Sequence, residues 1–350
     1  MATEADITRA VNRVRRALLR QDVRVRHEVA AAYTVAQRAI TSELLSLTER
    51  IIAASTAGEE VNPAWLYRQT RYRILLDQAD AAFQRLTIDA GRTIIAAQRI
   101  AVVNAQTDAA QLTLAAMGGV PPAGITVSFA HLPQGALLEM VGTLSPGSPL
   151  RTLLDDLGPL VKNTIARGLL EGIALGRSPR EVARLIRGEL NGVPRGRLLT
   201  ISRTELLRSY REAQRRAWRA NERLVRGWVW HAALDGRCCA SCFALHGSEH
   251  DLDVPFGSHP GCRCSAVPAL FARYGPSPAI RSGEEVFADQ SAEVQRATLG
   301  PAKYALYAAG EIELGDVVQV RRSASWGTTR SVGGVQAALD KAEARRQRAA

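Results

Sequence analysis

Residues 228–264 read WVWHAALDGRCCASCFALHGSEHDLDVPFGSHPGCRC, and all five cysteines of the chain (Cys238, Cys239, Cys242, Cys262 and Cys264) fall inside this window. A disulfide framework stapling a secreted domain would not confine its cysteines so, and the clustering points to reduced thiols around a metal ion. Cys239-x2-Cys242 is a knuckle-type half-site, in which a tight turn aims both sulfurs at one ion. After sixteen intervening residues His259 and Cys262 repeat that spacing, and Cys264 shares a face with Cys262 if the segment is extended. Thiolate and imidazole donors suit tetrahedral Zn²⁺ at about 2.0–2.3 Å. Five candidates compete for four positions: Cys239 and Cys242 plus two of His259, Cys262 and Cys264, with Cys238 a bystander whose side chain points away. The alternative is a set of reduced structural thiols, or a local disulfide after oxidation.

Trp228, Trp230 and Ala232 alternate with Val229 and His231, which predicts a strand entering the cluster, with Cys264–Val267 as its partner. So few residues bury too little apolar surface to fold alone, so the ion would supply folding energy rather than chemistry. Upstream, Arg195–Gly227 carries ten Arg against three Glu and reads as one basic helix. Leu206, Tyr210, Ala213, Ala217, Ala220 and Leu224 form its apolar stripe. Arg208, Arg211, Arg215, Arg219 and Arg226 keep the same stride about half a turn away, a face suited to a phosphate backbone or to an acidic protein surface. A solvated helix face is the bland alternative. Before it, Ser178, Pro179 and Glu181 form a capping box opening a helix that Gly192 and Pro194 are expected to end.

Further out, apolar residues step by three or four from Ile7 through Val11, Val14, Leu18, Val25, Val29, Tyr33, Ala36, Ile40, Leu44, Leu47 and Ile51, with Asp22 the only break. Asn62-Pro63 supplies an N-cap and a first helical residue. A second stripe follows in Tyr72, Leu76, Ala79, Phe83, Leu86, Ala90 and Ile94. Two helices, each about 70 Å long at 1.5 Å per residue, are expected to fold back as a hairpin. Gly118, Gly119, Pro121, Pro122 and Gly124, then Ser145, Pro146, Gly147, Ser148 and Pro149, bound a short joint. The predicted class is therefore mainly α: a long N-terminal helical hairpin (1–120), a joint (121–149), a helical middle region with a basic helix and a small α+β Cys/His metal knot (150–270), and a short helical C-terminal tail (271–350).

With 350 residues, 46% hydrophobic and 23% charged, the chain has enough apolar mass for a core, which excludes disorder throughout. It carries 45 basic and 34 acidic side chains, a net +11, and only Lys162, Lys303 and Lys341 are not arginine. An acidic partner is expected. No run of about 18 apolar residues is present, and the N-terminus has no basic and apolar leader, so neither a membrane span nor secretion by that route is expected.

Catalysis has few parts to work with. His231, His246, His250 and His259 lie near Asp235, Glu249 and Asp251, the raw material of a metal-dependent nuclease. Yet no His-Asn-His arrangement is readable, and a zinc site with three or four thiolates keeps no open position for water. Glu311 and Glu313 have a transferase-like spacing without the Ser-rich strand that would support it. No phosphate-cradling Gly loop, Ser nucleophile elbow or HExxH helix occurs.

In order along the chain stand Arg203-Thr204-Glu205, Trp230–Leu234, Asp235-x-Arg237, Cys239-x2-Cys242, Leu245-x-Gly247 and His259-Pro260-x-Cys262-Arg263-Cys264. Together they resemble the head-morphogenesis (Mu F-type) minor capsid proteins of tailed bacteriophages over about Leu150–Leu270. Leu299-Gly300-Pro301 and Tyr304-x2-Tyr307 resemble the tail that often follows. Cys238 departs from the pattern, where a small polar residue such as Thr is expected. The resemblance implies a structural virion protein in few copies near the portal vertex, made in the host cytoplasm and built into the phage head. It also implies portal and other capsid proteins as partners and a part in head assembly and DNA packaging or delivery. A metal-dependent nuclease or toxin-like effector acting on nucleic acid is the alternative, and a non-enzymatic DNA-binding module a third.

Overall fold

The computed structural model describes residues 3–121, 128–145, 148–274 and 280–349. Met1, Ala2, Pro122, Gly124, Pro146 and Gly147, parts of the readings above, lie outside them. Helices, short 3-10 turns included, hold 68% of the described residues, which makes the protein mainly α. In order they are α1 (Glu4–Thr56), α2 (Pro63–Arg68), α3 (Thr70–Ala116), α4 (Gln134–Leu138), α5 (Pro149–Asp155), α6 (Leu157–Ala174) and α7 (Pro179–Arg219). Then come β1 (Val225–His231), α8 (Ala240–Leu245), β2 (Glu249–Asp251), β3 (Ser265–Leu270), α9 (Gly283–Ala288), α10 (Ala292–Leu299), α11 (Pro301–Ala308), β4 (Val318–Ser323), β5 (Gly327–Val332) and α12 (Val335–Ala349). The chain forms two compact units: one of residues 21–97 and 142–206, the other of 1–20, 98–141 and 207–350.

The helical unit of 21–97 and 142–206 is built on the predicted hairpin. Gln21 Nε2 donates to Ala97 O at 2.8 Å and Tyr33 meets Phe83 edge-on at 5.5 Å, so rising numbers in α1 meet falling numbers in α3. The apolar stripe of α1 is buried, Ile40 and Leu47 at 0% exposure. At the turn, Asn62 accepts from Trp65 N and Pro63 opens α2, but Gln69 turns extended and separates α2 from α3. The second long helix therefore starts at Thr70 rather than at Pro63.

Pro194 does not end a helix, contrary to the expectation. It lies inside α7, which runs unbroken from Pro179 to Arg219, with Ser178 Oγ accepting from Glu181 N at the start. A proline within a helix leaves the carbonyl four residues back without its donor. That carbonyl is Leu190 O, and the buried Tyr33 hydroxyl donates to it at 2.5 Å. Tertiary contact repairs the gap that local sequence opens.

Asp22, the break in the α1 stripe, is fully buried and accepts from Arg203 Nε at 2.9 Å and Nη2 at 2.7 Å. Replacing Asp22 by Ala is expected to cost about 3 kcal/mol in urea unfolding, because a mostly buried cation loses its counter-charge. Arg203 keeps 17% side-chain exposure, which holds the loss at the low end. Adding Arg203→Leu to Asp22→Leu should recover most of it; a double variant no more stable than Asp22→Ala would refute the pairing.

In the other unit β1 is the centre of an antiparallel sheet ordered β2-β1-β3, with Val229 opposite both Glu249 and Val267 and Trp230 opposite Ala266. The strand read from the Trp alternation and its partner at 264–267 are both present. The tail is helical but also contains the hairpin β4-β5, where the sequence reading had helix alone. Its residues pack on the Cys/His module: Gly283 N donates to His246 O at 2.8 Å, Phe287 meets Phe243 at 5.2 Å, and Arg330 N donates to Gly257 O at 2.8 Å. A Cβ on Gly283 would sit 1.7 Å from Phe243 O. Gly283→Ala should therefore lower stability by about 2–3 kcal/mol through overpacking, read as a fall in melting temperature; an unchanged melt would show that the tail does not dock there.

Candidate metal centre

Cys239 caps the N-terminus of α8 and Cys242 lies one turn in, with Cys242 N donating to Cys239 O at 3.0 Å. This is the knuckle expected of Cys-x2-Cys. The return strand begins just past Cys264, so the β1–β3 register brings His259, Cys262 and Cys264 back to the knuckle. His259 Nε2 stands 3.3 Å from both Cys239 Sγ and Cys242 Sγ, and Cys242 Sγ stands 3.8 Å from Cys262 Sγ. Four sulfur or nitrogen donors about 2.3 Å from one ion have edges of about 3.8 Å, so the spacing fits a tetrahedral Zn²⁺ site.

Two overlapping triads meet that spacing, Cys239/Cys242/His259 and Cys242/Cys262/Cys264, and Cys242 belongs to both. Cys238 is in neither; its thiol faces its neighbour's carbonyl, Cys239 O, at 3.9 Å, and burial pushes it up to about 12. His259 Nδ1 lies 2.8 Å from Pro260 O. A carbonyl only accepts, so Nδ1 carries the proton and Nε2 offers a lone pair to an ion, the outer-shell bond usual for a ligating histidine.

The electrostatics are those of donors crowded together. Cys239 is drawn down to about 4 by a hydrogen bond from Cys242, with others from His259 and Ser241. Burial works against the charged form of His259, but its bonds to Cys239 and Cys262 push it up to about 10. Burial likewise opposes the Cys262 thiolate, and hydrogen bonds from Cys242 and Cys264 and the nearby Arg211 outweigh it. Cys242 is pushed far up because it is the shared donor to its neighbours. A divalent cation would replace these shared protons and relieve the crowding.

Arg211 of α7 holds the ligand loop in place. It is 6% exposed. Nε and Nη2 donate to Cys264 O at 3.1 and 2.7 Å, Nη2 also to Cys262 O at 2.9 Å, and Nη1 to Ser258 Oγ at 2.9 Å. Its guanidinium lies over Phe256 at 4.6 Å, and Phe256 in turn stacks on Trp230 at 4.0 Å. This corrects its expected place on a partner-facing surface, for the carbonyls bracketing the ligand pair need its fork.

The rest of that predicted row is largely engaged within the chain. Arg215 donates to Glu212 at 2.7 Å and to Leu252 O, Arg219 pairs with Asp253, and Arg226 donates to Glu249 at 2.9 Å and Leu270 O at 2.9 Å. Arg226 stands on β1, since α7 stops at Arg219. Arg208 is exposed. Of the motif residues, Arg203 holds Asp22 as described, Thr204 Oγ1 donates to Thr200 O at 2.6 Å, and Glu205 is buried. Asp235 accepts from Arg263 at 2.7 Å and from Arg237 N at 3.0 Å. Sequence reasoning missed Asp22, Tyr33 and Ser258; only Asp22 left a signal, as an acid in an apolar stripe.

Most of the groups named for a nuclease make contacts within the fold. His246 Nδ1 accepts from Ala232 N at 3.1 Å, and burial drives His231 down to about 3. His250 stacks on Trp228 at 4.3 Å, and burial lowers it to about 4. Glu249 and Asp235 are held by Arg226 and Arg263, and Glu313, of the transferase-like pair, by Arg345 at 2.6 Å.

No helix among the described residues is long and apolar enough to cross a membrane. Neither the curated proteins nor the solved structures hold a significant match to the chain. Residues 163–267, running from within α6 to within β3 and so including all five candidate donors, match the family model described as phage Mu protein F like protein.

Proposed function

We propose that the protein is a minor structural component of a tailed-phage head, located at the portal vertex, which assists head assembly and DNA packaging or delivery without catalysing a reaction. The observation that carries this reading is the coincidence of the family match with a Cys/His knot whose donor-bearing loop is gripped by Arg211. In this reading Zn²⁺ binds among Cys239, Cys242, His259, Cys262 and Cys264 and acts as a staple that fixes α7 against the sheet. Portal and other capsid proteins are the partners, packaged DNA is contacted without sequence preference, and the protein passes from the host cytoplasm into the virion. Sedimentation of an assembling lysate tests it. The protein is expected to travel with portal-containing heads at low stoichiometry; its absence from them would end the reading.

A further inference from the structure

The arginines left over by tertiary structure are not those of the C-terminal half of α7. From Arg197 onward, Arg197 pairs with Asp156 at 2.7 Å, Arg203 with Asp22, and Arg216 with Glu212 at 2.9 Å, beside the engaged residues above. In the N-terminal half Arg180, Arg184 and Arg187 are exposed, and no ion pair or side-chain hydrogen bond among the described residues takes up their guanidinium groups. Arg195, half-buried, has none either. At 100° per residue the four fall within about 80° of arc and span about 22 Å of helix axis. Of the nearby acids, Glu181 lies in the first turn, and Glu189 is already held by Arg167 at 2.9 Å.

The edge of that face is smooth. Gly188 lies just beside the arc, is exposed, and a Cβ built on it meets nothing within 4 Å. A protein-binding surface is anchored by aromatic or large apolar side chains, and none stands between these arginines. A bare helix surface with a row of planar donor forks suits closely spaced phosphates.

We propose that Arg180, Arg184, Arg187 and Arg195 grip the phosphate backbone of duplex DNA. The phage-head reading enters only in making that duplex the packaged genome; the surface itself stands on the geometry of α7. Contact is through phosphates, so it carries no sequence preference and falls steeply with salt.

The test is fluorescence anisotropy of a labelled duplex of arbitrary sequence with the full-length protein, from about 50 to 200 mM salt. The triple variant Arg180→Ala/Arg184→Ala/Arg187→Ala is expected to bind at least about tenfold more weakly at low salt. The slope of log K against log salt should shrink by about 0.9 for each arginine removed. The lysine triple variant should keep the slope, Arg219→Ala should leave binding unchanged, and circular dichroism should show α7 intact in all. Wild-type protein that does not bind duplex DNA, or an alanine triple variant with wild-type affinity and slope, overturns the proposal. A triple variant that binds DNA normally yet no longer enters heads also overturns it, because the face then serves a capsid protein. Wild-type protein absent from heads that still binds DNA through these arginines would instead sink the phage-head reading and leave this one standing.

Discussion

Replacing Cys242 by Ser is expected to abolish stoichiometric zinc and to unfold the knot, the largest effect of any single substitution in the chain. Cys242 is the one donor common to both triads, so neither close-spaced triad survives its loss. Structural zinc contributes on the order of 10 kcal/mol of apparent folding free energy at neutral pH, comparable to the whole stability of an ordinary domain. Elemental analysis should find one zinc per chain in the wild type and none in the variant. A chelator added to the wild type should reproduce the loss of Trp228 and Trp230 burial as a red shift in fluorescence. The two peripheral donors differ in prospect: His259→Ala and Cys264→Ser each leave one triad intact, and whichever keeps its metal identifies the ligand that is dispensable. Wild-type protein free of zinc, with an unchanged spectrum in chelator, would remove the staple from the account.

Arg211→Ala should be the next most damaging change, at about 5 kcal/mol in urea unfolding, with a 10–100-fold fall in zinc affinity. The substitution strands the carbonyls of Cys262 and Cys264 and the Ser258 hydroxyl, and it removes the cation lying over Phe256. Arg211→Lys should recover little, since one ammonium lacks the planar fork that serves both carbonyls and the hydroxyl together. Competition with a chromophoric chelator measures the affinity part. A variant with wild-type affinity and stability would show that the ligand loop holds its shape without α7.

The two long helices and the strand at the tryptophans could be read from the sequence because their signal is local: apolar residues repeat every three or four positions, or every second one, along a single element. The cluster of candidate metal donors was legible for the same reason, since a knuckle is a short-range spacing. The unbroken run of α7 was not legible. Local rules end a helix at Gly192-Pro194, and the donor that rescues Leu190 O is Tyr33, distant in the chain. The β4-β5 hairpin was missed because it takes its place beside Gly257, a neighbour no local window includes.

The chain by itself determined periodicity, net charge and the set of donors able to hold an ion, because each of these belongs to a residue or its near neighbours. Tertiary structure decided which charges remain. Arg211 and Arg187 are the same residue type on the same helix, yet one is closed over by the carbonyls of the ligand loop and the other is left facing solvent. A guanidinium is available to a partner only if nothing in the folded chain has already satisfied its donors, and those competing groups come from sequence far away.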